Sequence, residues 1–216
     1  MKCEEKQFFI EKLGYMKVWV WSPEQPQSEL PCILFLHGAG ERGADFDTLC
    51  VQGLPKYLAA GRELPAVVVC PQCPQGYVWD NLVLHLDEIL ADVLSRYPVD
   101  SQRVSLTGLS MGGFGAWSYA ITRPKAFFRL GPICGGGMNW RASALKNIPV
   151  WAFHGQADDD VPRVYSEVMV DAVNEQGGDA VLTQFPGVGH NSWDPAYLNT
   201  NLIPWLLGAD VERKGS

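Results

Sequence analysis

The sequence predicts a three-layer α/β domain: a mostly parallel sheet with helices on both faces, opened by an antiparallel hairpin. Three observations carry this. Apolar runs such as Cys32-Ile33-Leu34-Phe35-Leu36 are unbroken, the pattern of a strand covered on both faces. These runs alternate with amphipathic, helix-length segments, which is how parallel strands are connected. The first segments instead alternate apolar and polar residues, as antiparallel strands with one solvated face do.

The chain reads in order as follows. Phe8-Phe9-Ile10 and Tyr15 to Trp21 form the hairpin, closed by turn residues around Gly14, and Ser22 to Pro31 is a polar, proline-rich loop. Buried strands follow at Cys32 to Leu36, Ala66 to Cys70, Val104 to Leu109, Leu130 to Cys134 and Val150 to Phe153, with a further strand at Ala180 to Phe185. Between them, Leu82 to Tyr97 places Leu82, Leu86, Ile89, Leu90, Val93 and Leu94 on one helical face. Met111 to Thr122, Val164 to Gln176 and Ala196 to Leu207 are further helices, and Phe46 to Ala60 is a weaker one. No repeat, low-complexity tract or long linker interrupts the pattern, so residues 1–216 are expected to form one domain.

Composition narrows the function classes. Hydrophobic residues make up 47% and charged residues 19%, as in an ordinary globular protein. A formal net charge of −7 argues against nucleic acid or an anionic membrane as partner. No stretch approaches the ~20 apolar residues of a membrane span. Acidic residues follow Met1 at once, so no secretory signal is read there; if Met1 is the native start, a cytoplasmic protein is expected. The six cysteines are not spaced as a disulfide framework. Cys70-Pro71-Gln72-Cys73 has the spacing of a redox or zinc half-site, but it ends a strand and no partner pair follows, so buried reduced thiols are expected.

The chemistry gathers around Ser110. It stands in Gly108-Leu109-Ser110-Met111-Gly112, directly after a strand and directly before a helix. The pentapeptide alone is weak evidence. A strand, a glycine-flanked serine and a helix describe a turn so sharp that bulky neighbours would collide, with the hydroxyl raised off the sheet edge. Such a serine needs a base, an acid to orient the base, and donors for an oxyanion. His85 lies on a helix face, and His37 and His154 open His-Gly turns at strand ends, where they more often brace a loop. His190 lies in Gly187-Val188-Gly189-His190, after the last strand, and completes the order serine, acid, histidine. The acid belongs on the loop Asp158-Asp159-Asp160, which leaves three choices, with Asp194 as another contender. Oxyanion donors would be the amide of Met111 and one from His37-Gly38-Ala39-Gly40.

Taken together, these stretches resemble the serine esterases of the α/β-hydrolase superfamily, in the small carboxylesterase, phospholipase-like and dienelactone-hydrolase-like branch related to prolyl oligopeptidase catalytic domains. The likeness runs from about residue 30 to 207 and rests on five ordered motifs. They are Phe35 to Gly43, Leu106 to Gly113, Pro132 to Gly137, Phe153 to Pro162 and Gly187 to Trp193. The resemblance implies an α/β-hydrolase fold. The family pattern H-G-x-x-D-x-x-V-P implies Asp158 as the acid, with Val161-Pro162 fixing the register, and Ala39 as the second oxyanion amide.

The expectation is therefore a carboxylesterase that needs no cofactor or metal and works through Ser110, His190 and Asp158. A histidine base predicts activity that falls below about pH 6.5. The elements use up nearly the whole chain, leaving no separate cap domain, so an open site for short-acyl or aromatic esters is expected. The substrate would be a small molecule or an ester-decorated polymer such as a plant polysaccharide, with Trp79 and Trp193 lining the site. A serine peptidase or thioesterase would use the same residues, and a silent binding module on the same scaffold would keep only the fold. Oligomeric state is not readable from the sequence.

Overall fold

The computed structural model describes residues 1–11, 14–25 and 29–215. The turn expected just before Gly14 and the Pro26 to Ser28 part of the proline-rich loop lie outside them. Eight strands form one sheet: β1 (Lys2–Ile10), β2 (Gly14–Ser22), β3 (Leu30–Leu36), β4 (Val67–Pro71), β5 (Val99–Leu109), β6 (Arg129–Ile133), β7 (Val150–Gly155) and β8 (Ala180–Phe185). Their order across the sheet is β1-β2-β4-β3-β5-β6-β7-β8. The β1–β2 and β2–β4 pairs are antiparallel and all the others parallel. This is the α/β-hydrolase architecture that the motifs implied.

Strand alternation sorts the core into two layers. Cys32, Leu34, Leu36, Leu106, Leu130, Val150 and Ala152 face one side, where α3 (Val83–Arg96), α4 (Met111–Thr122) and α5 (Val164–Glu175) cover them. Ile33, Phe35, Leu109, Ile133, Trp151 and Phe153 face the other. There α2 (Gly53–Ala59), α6 (Trp193–Asn199) and α7 (Leu202–Leu206) pack, with short α1 (Phe46–Leu49) ahead of them. Because both faces are covered, the central strands carry no polar alternation.

Four elements differ from the sequence pattern. The first strand begins at Lys2, because the exposed edge of the hairpin carries Glu4, Glu5 and Lys6 instead of apolar residues. The helix expected over Phe46 to Ala60 is two helices. Gly53 opens the second at φ +63°, and a Cβ there would stand 2.6 Å from Phe35 Cζ. The helix expected over Ala196 to Leu207 also divides: Thr200 turns extended, and its hydroxyl accepts the amide of Leu202 at the start of α7. A 3-10 turn over Asn139–Leu145 had no counterpart in the sequence reading, since its polar, mixed composition carries no helical period.

The chain moves from β3 outward to β4, then crosses back to β5 on the other side of β3. Loops leaving the carboxyl ends of β3 and β5 therefore diverge and open a crevice between them, where ligands bind in sheets of this kind. Among the described residues no helix is long and apolar enough to cross a membrane.

The Gly53 contact gives a stability test. Gly53→Ala introduces both an unfavourable backbone and an overlap with Phe35, an expected cost of about 2 kcal/mol. Calorimetry should show Tm lowered by roughly 4–8 °C. A variant that melts with the parent would show that the joint is not sterically closed.

Candidate active site

The turn at Ser110 is as tight as its glycine neighbours suggested. Ser110 has φ 52° and ψ −119°, a conformation that costs a non-glycine residue energy. Contacts all round hold it there. A Cβ on Gly108 would lie 2.3 Å from the Gly112 oxygen, and one on Gly112 would lie 1.9 Å from the Leu36 oxygen. One on Gly113 would meet the Ile133 oxygen at 2.3 Å. The start of α4 is thus wedged backbone against backbone between the ends of β3 and β6. The Ser110 amide donates to the Ile133 carbonyl at 3.0 Å, closing the turn onto β6.

The hydroxyl raised by this turn meets an imidazole. Ser110 Oγ lies 2.9 Å from His190 Nε2, and His190 Nδ1 lies 2.8 Å from Asp158 Oδ2. A carboxylate only accepts, so Nδ1 carries the ring proton and Nε2 is left to accept from the serine. Asp158 Oδ1 accepts the amides of Asp160 (3.0 Å) and Val161 (2.9 Å). Burial tends to raise the Asp158 pKa, but the Val161 amide and the neighbouring His190 together hold it below the usual carboxylate range. Of the three adjacent aspartates only Asp158 meets the imidazole, while Asp159 and Asp160 are exposed. Asp194 turns away to Tyr57, Asn191 and Lys56.

Set beside known proteins, residues 14–163 match the Esterase family. The chain belongs to this family. Among solved structures, a thermostable esterase superposes with a TM-score of 0.82 at 32% identity, over 94% of this chain. The present chain spans 62% of that esterase's length. A serine-to-alanine variant of the feruloyl esterase module from Clostridium thermocellum, complexed with sinapinate, matches with a TM-score of 0.73 at 15% identity, over 100% of this chain and 90% of its own. An acylaminoacyl peptidase from Pyrococcus horikoshii matches with a TM-score of 0.71 at 16% identity, over 99% of this chain and 44% of its own. The last two share the fold. A comparison with curated proteins finds no match.

The remaining histidines of this Esterase-family chain are occupied. His37 donates from Nδ1 to the Gly38 carbonyl (2.6 Å) and accepts the Cys73 amide at Nε2 (2.9 Å). Both nitrogens are used, and burial lowers its pKa to about 4. Cys70, within β4, and Cys73, two residues beyond its end, are buried free thiols. His154 Nε2 points at the Val161 carbonyl (2.9 Å) and lies 3.2 Å from Asp158 Oδ2, so two imidazoles flank one carboxylate oxygen. Burial also pushes the His154 pKa down. His85 stands on α3, 3.6 Å from Glu88.

Ala39 opens a 3-10 turn after β3 and Met111 opens α4, so neither amide has an acceptor within its own helix. Gly38 draws the two segments together: a Cβ on it would lie 3.7 Å from Ser110 Cβ. The tryptophans are a correction. Trp79 is 1% exposed, packs on Gly115 and donates from its indole to the His37 carbonyl, so it braces the loop before Ala39. Trp193 is 5% exposed, is bonded to Gln52 and sets its ring edge-on to His190 at 5.4 Å. Neither offers an open face to a substrate. The sequence reading missed the aromatic pair that does have exposed surface. Phe114, one turn along α4, meets half-exposed Tyr165 edge-to-face at 5.6 Å. The spacing of Phe114 from Ser110 was the available signal.

Buried neutral His37 fixes a pH response. In the unfolded chain a histidine takes its proton near pH 6.5, whereas folded His37 resists until about pH 4. The unfolded state therefore binds the extra proton in this window. Stability is full above pH 6.5 and falls as the pH drops toward 4. Urea midpoints between pH 7 and 5 should decline less steeply in His37→Gln, by up to about 1.4 kcal/mol per pH unit. Parallel declines would show that His37 titrates normally.

Proposed function

We propose that the protein is a carboxylic-ester hydrolase that works through an acyl-enzyme on Ser110. The observation that carries this reading is the continuous relay from Ser110 through His190 to Asp158, set at the carboxyl ends of β5, β8 and β7. Ser110 Oγ attacks the ester carbonyl while His190 Nε2 takes its proton. Asp158 keeps the second ring proton on Nδ1 and offsets the imidazolium charge. The carbonyl oxygen becomes an oxyanion between the Ala39 and Met111 amides. Collapse expels the alkoxide, which takes the proton from His190. Water then attacks the acyl-serine by the same proton path and releases the acid.

The mouth suits esters with a small or flat acyl group and an unrestricted alcohol. Ala39 and Gly40 are exposed on one side of the serine, and the His190 side chain keeps one fifth of its surface open. The Phe114–Tyr165 pair gives an aromatic acyl group a surface to pack on, and the aromatic acid held by the feruloyl esterase module agrees with that use. An open alcohol side also admits an ester carried on a polysaccharide.

A nitrophenyl ester series should peak at two to four acyl carbons or on aromatic acyl groups, and Ser110→Ala should lower kcat by at least about 10⁴-fold. Preference for long acyl chains, or for amide or thioester analogues over esters, would overturn the assignment. Tyr165→Ala should raise KM for a feruloyl ester by about 2–10-fold and leave acetate esters nearly unchanged. Equal losses on both substrates would remove Tyr165 from the acyl subsite.

A further inference from the structure

Beside the relay lies a group that hydrolysis does not use. Cys134 ends β6 with its thiol buried next to Asp158 and His190, and one potential ligand atom from each of the three lies within 4.8 Å of the others. Cys134 is held at φ +40°, an unfavourable conformation for a side-chain-bearing residue, and its amide is tied to the Phe153 carbonyl at 2.8 Å. Strain of this kind persists only where surrounding structure enforces it, and here it accompanies a thiol placed beside the carboxylate and the imidazole. The Ser192 hydroxyl is buried near the sulfur and has no hydrogen-bond partner. A hydroxyl there favours a thiolate, but burial outweighs it and keeps the thiol protonated. His154 is the other titratable group against this cluster, on the far side of Asp158.

We propose that Cys134, Asp158 and His190 form an inhibitory site for a thiophilic divalent cation such as zinc. Sulfur, imidazole nitrogen and one carboxylate oxygen make a borderline-soft set of the kind that prefers zinc or cobalt to magnesium or calcium. The Asp158 oxygen available is Oδ2, because Oδ1 is committed to two amides. Burial holds the free thiol's pKa at about 12, so in the metal-free protein Cys134 is neither a nucleophile nor readily oxidised. The cation must displace its proton. On binding, the S–H bond is exchanged for a metal–sulfur bond and one proton leaves to solvent. The Nδ1 lone pair goes to the metal, so the single ring proton of neutral His190 now sits on Nε2. That nitrogen then presents N–H to Ser110 and can no longer accept the serine proton. Inhibition follows from a locked tautomer, with the substrate pocket left unobstructed.

Binding and inhibition can be read separately. Cobalt(II) titrated into the wild-type protein should produce a thiolate-to-cobalt charge-transfer band, which is absent from Cys134→Ser. This readout does not depend on the protein being an esterase. Zinc should also slow fluorophosphonate labelling of Ser110. Each protein is compared with its own metal-free rate, and the zinc concentration for half-effect should rise by at least about 10-fold in Cys134→Ser. A cobalt spectrum without a thiolate band overturns the proposal. So does equal zinc sensitivity in the two proteins, which would place the cation elsewhere.

Discussion

The site depends on one steric constraint: helix α4 enters the sheet with no room for a side chain at Gly108, Gly112 or Gly113. Carbonyl oxygens of Leu36 and Ile133 occupy the space where Cβ atoms would be. Backbone packed this closely has little freedom to relax, so the unfavourable dihedrals of Ser110 persist. The same wedge fixes the first amide of α4 against the loop after β3. The Ser110 hydroxyl and the Met111 amide are thus positioned by main-chain packing, which varies less than a side-chain rotamer does. The energy held in that turn is offset by the two apolar layers, which cover the sheet on both faces.

Much of this was legible in the sequence because the decisive signals were local. Glycines flanking Ser110 encode the turn, and the unbroken run Cys32 to Leu36 encodes a central strand. The Ala180–Phe185 strand and the Met111–Thr122 helix have the boundaries their residues indicate. What the sequence concealed was decided by distant neighbours. Nothing near Gly53 reveals that Phe35 lies against it, so the helix break is invisible. Trp79 and Trp193 lie close to the motifs along the chain, yet their indole nitrogens find partners in His37 and Gln52 and turn the rings inward. Proximity along the chain gave their location but not their orientation.

Chain position alone also left three aspartates equivalent, and the fold separates them by hydrogen bonding. Asp158 accepts two amides of its own loop, a turn that fixes its carboxylate before any imidazole arrives. Asp160 contributes its amide to this turn and Val161 contributes the other, so the residues following Asp158 act through their backbone. The exposed side chains of Asp159 and Asp160 then need no role in the relay. An acid already held by its own loop costs little further ordering when His190 docks on it.

Three histidines at or beyond strand ends show how partners divide one residue type among different tasks. His37 has both nitrogens engaged by the backbone and burial keeps it neutral, which makes it a brace. His154 is equally buried and faces the carboxylate from the side opposite the relay, with Nδ1 2.8 Å from the Ser166 hydroxyl. Of the three, His190 alone keeps part of its surface open, on a loop where Gly187 adopts φ +70°. Among them, only the ring at position 190 combines an anchored Nδ1 with an accessible Nε2.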